Sequence, residues 1–369
     1  MVSKRFIAKR LLLLIPVLFG VATVVFSILH LAPGDPARVI LGQRAPTQQV
    51  VELRHQLGLD DPIWVQYGRF LANAVQFEFG NSYQIAKGTP VWDVLASRIP
   101  VTVELALYGQ FIGILLGIPL GVLSAVKQDS VTDHVTRVGA LTGISVPIFW
   151  SGPLLILVFA TFLGWFPTSG RIGSAVFLPT HWTLFGTQLP LTGMVTVDTL
   201  ILNTGAFVQS VLYEQGLGAI ASIPDYYDPF ISAVHHLFLP AMVLGIYSMA
   251  LISRMMRSSM LEVVRQDYIR TARAKGQGEK ITLLKHGFRN ALIPVITVIG
   301  IQFGTLLGGA VLTETVFGIG GIGTLLVAAI GATDYPLVQG TVLVFALLFT
   351  LVNLGVDITY SYLDPRIQQ

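Results

Sequence analysis

Residues 254–291 read RMMRSSMLEVVRQDYIRTARAKGQGEKITLLKHGFRNA. This run of cations and small side chains lies between two apolar stretches, each long enough to cross a bilayer. A segment so placed is expected to face the cytoplasm and to be gripped by another protein. At its start, Arg254 and Arg257 can snorkel toward headgroups, and a helix-permissive stretch continues from Ser259 to Lys275. Around its far end Thr271, Ala272, Arg273, Ala274, Lys275 and Gly276 alternate small residues with cations. Small residues admit a partner's backbone, while the cations and Tyr268 suit an acidic or aromatic cleft. Gly276 then ends the helix and turns the chain back toward the membrane.

The whole chain supports a membrane setting. Of its 369 residues 53% are hydrophobic and 12% charged, with mean hydropathy +0.70, whereas soluble domains carry roughly a quarter charged residues. Backbone groups in lipid must be bonded internally, and the long apolar runs choose helices over a closed barrel. The fold class is therefore an all-α integral membrane protein. A net charge of +3 is too small to indicate nucleic acid, and zero cysteines exclude disulfides, thiolate metal sites and Cys nucleophiles.

Six spans fit the hydropathy, near 9–31, 101–126, 138–164, 236–256, 288–313 and 337–362. The first follows Lys4, Arg5, Lys9 and Arg10 and is too long for a signal h-region, so it is read as a retained span. With the N-terminus inside, 16 of the 23 Lys and Arg fall in cytoplasmic segments, which favours both termini inside. The chain reads as one transmembrane domain, 1–369, with external segments at 32–100 and 165–235 and a cytoplasmic loop at 257–287.

The first external segment carries two helix signatures. Thr47 is expected to cap a helix with Val50, Leu53 and Leu57 on one face, ended by Gly58. Asp61 and Pro62 are expected to cap and open a second, with Ile63, Tyr67, Phe70, Leu71 and Ala74. Both should pack on the outer ends of the spans. Residues 165–235 have no sustained period; Thr199–Leu212 suits a short interfacial helix.

RQDYIRTARAKG (265–276) followed by RNALIPVITVIG (289–300) resembles the cytoplasmic docking loop of ABC importer permeases of the peptide and nickel branch. LAPGDPARVILG (31–42), LGLDDPIWVQYGRFL (57–71), EFGNSY (78–83), PVWDVLASRIPVTVELAL (90–107), PLVQGTVLVFALLFTLVNL (336–354) and the terminal LDPR (363–366) resemble that branch in the same order. The likeness covers nearly the whole chain outside much of 171–230, and is greatest toward the B-type subunits of dipeptide permeases. Two departures stand out. Thr271, Ala272 and Arg273 occupy the place of the general Glu-Ala-Ala ahead of the glycine, as is usual in the peptide branch, and Ile319 and Gly320 replace a frequent Trp-Pro pair.

The resemblance implies six transmembrane helices of the type I ABC importer permease fold, in the cytoplasmic (inner) membrane of a prokaryote. It implies half of a translocation pathway, completed by a homologous C-type permease subunit as a heterodimer. Two cytoplasmic ABC ATPases would dock on Asp267, Tyr268, Arg270, Thr271, Ala272, Arg273, Ala274, Lys275 and Gly276, and an external peptide-binding protein would deliver cargo. ATP and magnesium would belong to those partners, with no cofactor bound by this chain. Dipeptides or oligopeptides are the implied cargo; nickel chelates, glutathione or haem are the alternatives within the family, and an ion-coupled secondary transporter is the alternative from another class.

Ionisable residues in or near the spans must face protein or water. Glu314, beside the glycine turn Gly318, Gly320, Gly321 and Gly323, is the best candidate for a gate or pathway lining. Glu104 is open to either structural pairing or a pathway role, Asp357 is expected to pair with a cation, and His30 reads as a satisfied interfacial histidine. GIGGIG (318–323) matches a dinucleotide-loop pattern but lies between spans rather than in a βαβ unit, so it reads as a sharp backbone turn. No P-loop, metal-spaced histidine set or catalytic constellation is found, and the chain is read as a transport subunit, not an enzyme.

Overall fold

A computed structural model describes residues 4–31, 35–42, 44–174, 176, 178, 179, 181–184, 187–209 and 223–363. In chain order the helices are α1 (Lys4–Leu31), α2 (Pro36–Leu41), α3 (Thr47–Gln56), α4 (Ile63–Val75), α5 (Val91–Val126), α6 (Val131–Ser145), α7 (Ile148–Leu155), α8 (Val195–Gln209), α9 (Ile223–Val264), α10 (Asp267–Ala274), α11 (Glu279–Ile281), α12 (Arg289–Phe317), α13 (Ile322–Gly331) and α14 (Tyr335–Leu363). π-helical turns follow α7 (Ile156–Phe162) and α11 (Thr282–Phe288), and one antiparallel hairpin, β1 (His181–Leu184) with β2 (Thr187–Pro190), interrupts the helices.

Among the described residues, five helical stretches are long and apolar enough to span a bilayer, and a sixth crossing requires a broken pair. The third expected span, 138–164, is not one straight helix: α6 and the α7 unit meet at a 105° bend. Pro147 supplies the reason. It precedes the first residue of α7 and holds Val146 extended, at φ −80°, ψ 120°.

The remaining boundaries move for identifiable reasons. α5 begins at Val91, ten residues before the apolar run, because Pro90 opens it and buried Val91 and Leu95 face Leu337 and Ile322. α9 extends the fourth span at both ends. It stops at Val264, so the helix expected from Ser259 to Lys275 is two helices separated at Arg265–Gln266. The expected caps at Thr47 and Asp61 do not form. Thr47 is already helical, Pro46 and Pro62 occupy the cap positions, and Asp61 binds Arg69 Nη2 at 2.7 Å instead. The short α13, between the fifth and sixth spans, was not expected.

The centre of the bundle is α5 against α9. Gly109, Gly113, Gly117 and Gly121 form one ridge on α5 facing Leu244, Ser248, Ile252 and Met256 on α9. A Cβ at these four positions would lie 2.7, 2.6, 2.9 and 2.6 Å from those side chains, so only glycine permits this helix separation. α12 closes the core, with Leu306, Leu307, Ala310 and Phe317 packed among Leu105, Leu237 and Leu244.

Candidate coupling site

At one end of the bundle, α10 is a two-turn helix joined to α9 by a two-residue break. Its single buried side chain is Ile269, 0% exposed, which fastens it to the body. Asp267, Tyr268, Arg270, Thr271, Arg273, Ala274 and Lys275 are exposed and Ala272 half-buried. The named residues thus come together on one small helix that offers its polar face outward. Gly276 adopts φ 78°. Its N–H donates to Arg273 O at 3.0 Å while Gln277 N–H donates to Ala272 O at 3.2 Å, a Schellman turn that only a left-handed residue completes cheaply.

Arg273 does not point freely outward. It forms a two-pronged pair with Glu279 Oε1 and Oε2, at 2.6 and 3.0 Å, tying α10 to the returning chain. Asn290 Nδ2 donates to Tyr268 Oη at 3.0 Å, a second tie to α12.

Behind α10, the last turns of α9 are anchored by a buried ionic knot that sequence reasoning missed. Arg257 Nε and Nη2 donate to Asp133 Oδ1 and Oδ2 at 2.7 and 2.8 Å. Ser124 Oγ and Asp129 N–H also donate to Asp133, at 2.5 and 3.0 Å. The knot joins the end of α5, the start of α6 and α9, so Arg257 is not a snorkelling cation. Arg254 is exposed on the same helix. No local sequence signal marks the Asp133 carboxylate as buried or names Arg257 as its partner.

At the opposite end of the bundle, four of the described carboxylates are buried and accept backbone N–H groups: Asp198 takes those of Thr192 and Gly193 (2.8 and 3.0 Å) just ahead of its own helix, and the other three take those of a different segment. Glu104 accepts from Val195 N (3.1 Å), Thr196 N (2.8 Å) and Thr196 Oγ1 (2.5 Å), and from Arg171 Nη2 (2.8 Å). It therefore caps α8 from a different helix and compensates the positive end of its dipole. Glu314 is 0% exposed. It accepts from Thr102 Oγ1 (2.5 Å) and Thr324 N (3.0 Å), capping α13. Asp334 accepts from Ser82 Oγ (2.6 Å) and the N–H groups of Tyr83, Gln84 and Ile85 (3.1, 2.9 and 3.1 Å). Burial pushes the Asp334 carboxyl up, but these donors outweigh it and hold it below the ordinary carboxylate value.

The structure thus brings Glu314 together with Gly318, Gly320, Gly321 and Gly323, while Glu104 lies in a separate knot. Gly318 caps α12 at φ 62°, and Arg98 Nη1 donates to Gly320 O at 2.7 Å. Side chains at Gly321 or Gly323 would strike the Glu314 carboxylate, which explains glycines there without any nucleotide. Asp357 pairs with Arg10 at 3.0 Å. His30 Nδ1 lies 2.9 Å from Phe26 O and its ring stacks on Phe26, both as the sequence suggests.

Comparison with known proteins supplies the context for these two ends. The family described as "Binding-protein-dependent transport system inner membrane component" matches residues 117–369, and its N-terminal counterpart matches residues 3–106. The chain is 42% identical over 360 residues to a dipeptide transport system permease protein of Alkalihalophilus pseudofirmus, covering 98% of each chain. It is 43% identical over 364 residues to a di/tripeptide transport system permease protein of Pseudomonas aeruginosa, again covering 98% of each. A glutathione transport system permease protein of Escherichia coli is 37% identical over 363 residues, 98% of both chains. With both parts of the family pattern matched and several helices long and apolar enough to span a bilayer, this chain belongs to the binding-protein-dependent transport system inner membrane components, the multi-pass permeases of ABC importers.

Proposed function

We propose that this permease takes up dipeptides or short oligopeptides, forming half of the translocation pathway and transmitting force from cytoplasmic ATPases through α10. The observation that carries the mechanism is the direct mechanical path from α10 to the far end of the bundle. α10 joins α9 across two residues, α9 is knotted to α5 and α6 by Arg257 and Asp133, and the α5 glycine ridge leaves no slack along the α5–α9 seam. A push on α10 would thus move α5 and α9 together, and with them Glu104 and Thr102, which hold α8 and α13. Packed seams of this kind transmit small displacements because they switch between discrete arrangements rather than deform.

In this reading both termini and residues 257–287 are cytoplasmic, and 32–100 and 165–235 are external. A homologous C-type permease completes the pathway, two ATPases hold α10 and supply ATP and magnesium, and a peptide-binding protein meets the external side. Glu314 and Glu104 act as corner posts of the external mouth. The permeases named for dipeptides and di/tripeptides support the cargo class.

Charge reversal at both Arg273 and Lys275 is expected to lower peptide uptake and cargo-stimulated ATP hydrolysis by the assembled complex, while membrane insertion stays normal. Wild-type coupling in that variant, with normal assembly, would refute the lever. Glutathione is the second cargo reading, favoured by the 37% identical relative; competition between labelled dipeptide and glutathione in proteoliposomes decides between them.

A further inference from the structure

α4 combines a polar edge with an apolar face that no other described residue covers. Gln66, Arg69 and Asn73 line a cavity of about 710 Å³ shared with His30, Asp35 and Glu78. Around the helix from them, Trp64, Gly68, Ala72 and Val75 share one exposed face, with Trp64 73% and Val75 81% exposed. A four-position apolar face of this kind in water is unfavourable, and Trp at its edge is typical of a membrane interface.

The depth of α4 follows from where it touches α1. Tyr67 Oη lies 2.6 Å from Thr23 Oγ1, and the Tyr67 ring is 6.2 Å from that of Phe19 and 5.1 Å from that of Phe26. All three α1 residues lie inside the apolar span Ala8–Ile28. Arg10, paired with Asp357, marks the opposite boundary of that span. At about 1.5 Å per residue, Thr23 lies roughly 10 Å and Phe19 roughly 16 Å below His30 along α1. Tyr67 therefore reaches well beneath the membrane surface, and α4 cannot stand clear of the bilayer. Apolar side chains of α1 in that span are exposed as well, Phe19, Val24 and Ile28 among them.

We propose that α4 is an interfacial helix sunk into the leaflet on its side of the membrane, with Trp64, Ala72 and Val75 covered by phospholipid acyl chains and its polar edge turned to the cavity. Amphipathic helices of this type lie roughly 5–10 Å below the headgroup boundary, the depth that the Thr23 contact requires. The orientation argued above only names the leaflet as the outer one; the depth does not depend on it or on the cargo.

The chain has no cysteine, so nitroxides can be placed singly at V75C, A72C and, as an aqueous reference on α3, E52C, in the assembled transporter in lipid nanodiscs. At positions 75 and 72 the ratio of oxygen to nickel-chelate collision rates should be several-fold higher than at position 52. Equal ratios would place α4 in water and overturn the proposal. Exclusion of both relaxants at 72 and 75 would mean that protein covers this face, which overturns it as well. Should the labelled variants misassemble, loss of brominated-lipid quenching on Trp64→Phe substitution provides the same decision, since unchanged quenching would place Trp64 away from lipid. None of these readings requires transport, so a wrong cargo or a failed lever leaves them unaffected.

Discussion

The two ends of the bundle are held by different physics. At the insert end, Glu104, Glu314 and Asp334 are buried carboxylates, each accepting several hydrogen bonds, so every short segment there has its own fixed post. At the other end, α10 is held by one buried side chain, Ile269, and by two exposed polar ties, the Arg273–Glu279 ion pair and the Asn290–Tyr268 hydrogen bond. Buried charge-assisted bonds are strong in a low-dielectric setting, whereas exposed pairs contribute at most about 1 kcal/mol. The α10 end is therefore rigid only up to the Arg257–Asp133 knot, and beyond it the polar face is left for a partner to fix.

The largest effect that this contrast predicts belongs to the knot behind α10. Asp133→Ala strands the Arg257 guanidinium among α5, α6 and α9 and should cost about 3–5 kcal/mol, seen as a large drop in the detergent melting midpoint. Next comes the seam that joins the two ends. Gly113→Leu must displace Ser248 and should cost about 1–3 kcal/mol, with loss of coupling beyond the loss of stability, measured as ATP hydrolysis uncoupled from uptake.

A third test is confined to the insert end. Asp334→Ala removes the acceptor of Ser82, Tyr83, Gln84 and Ile85 and should cost about 1–3 kcal/mol, read as faster amide exchange at 83–85 with exchange at α10 unchanged. Because the Asp334 carboxyl is held below its ordinary value, its contribution is fully present above the unfolded value of about 3.9 and is lost as pH falls through the lower folded value. Loosening of 83–85 in the wild type should therefore begin only below about pH 4. The smallest effect is at α10 itself. Arg273→Ala and Glu279→Ala, alone or together, should leave the detergent melting midpoint nearly unchanged, because solvent screens an exposed pair. A cost matching that of Asp334→Ala would erase the distinction between the ends.

Much of this was legible along the chain. Apolar runs marked the spans, Gly276 and Gly318 marked turns, and Asp357 near the C-terminal end of the last span asked for the cation it finds in Arg10. The sequence also displayed the ridge Gly109, Gly113, Gly117 and Gly121, but a four-residue period of glycine names no partner helix. Arg257 looked like any cation at a membrane boundary, because nothing local reveals that Asp133, 124 positions away, lies against it. The bend at Pro147 was written in the sequence too, yet the apolar run across it is continuous and outweighed the proline in a hydropathy reading.

Composition and periodicity alone determined that the chain crosses a membrane as helices and that a cation-rich loop interrupts the last crossings, since transfer of apolar and charged groups between water and lipid depends only on local residue content. Which carboxylate caps which inserted helix, which glycines meet which side chains, and which arginine pairs with a buried carboxylate were decided only by the tertiary structure. Those are contacts between residues remote in sequence, and their energies exist only once the backbone has brought the partners within hydrogen-bond or van der Waals reach.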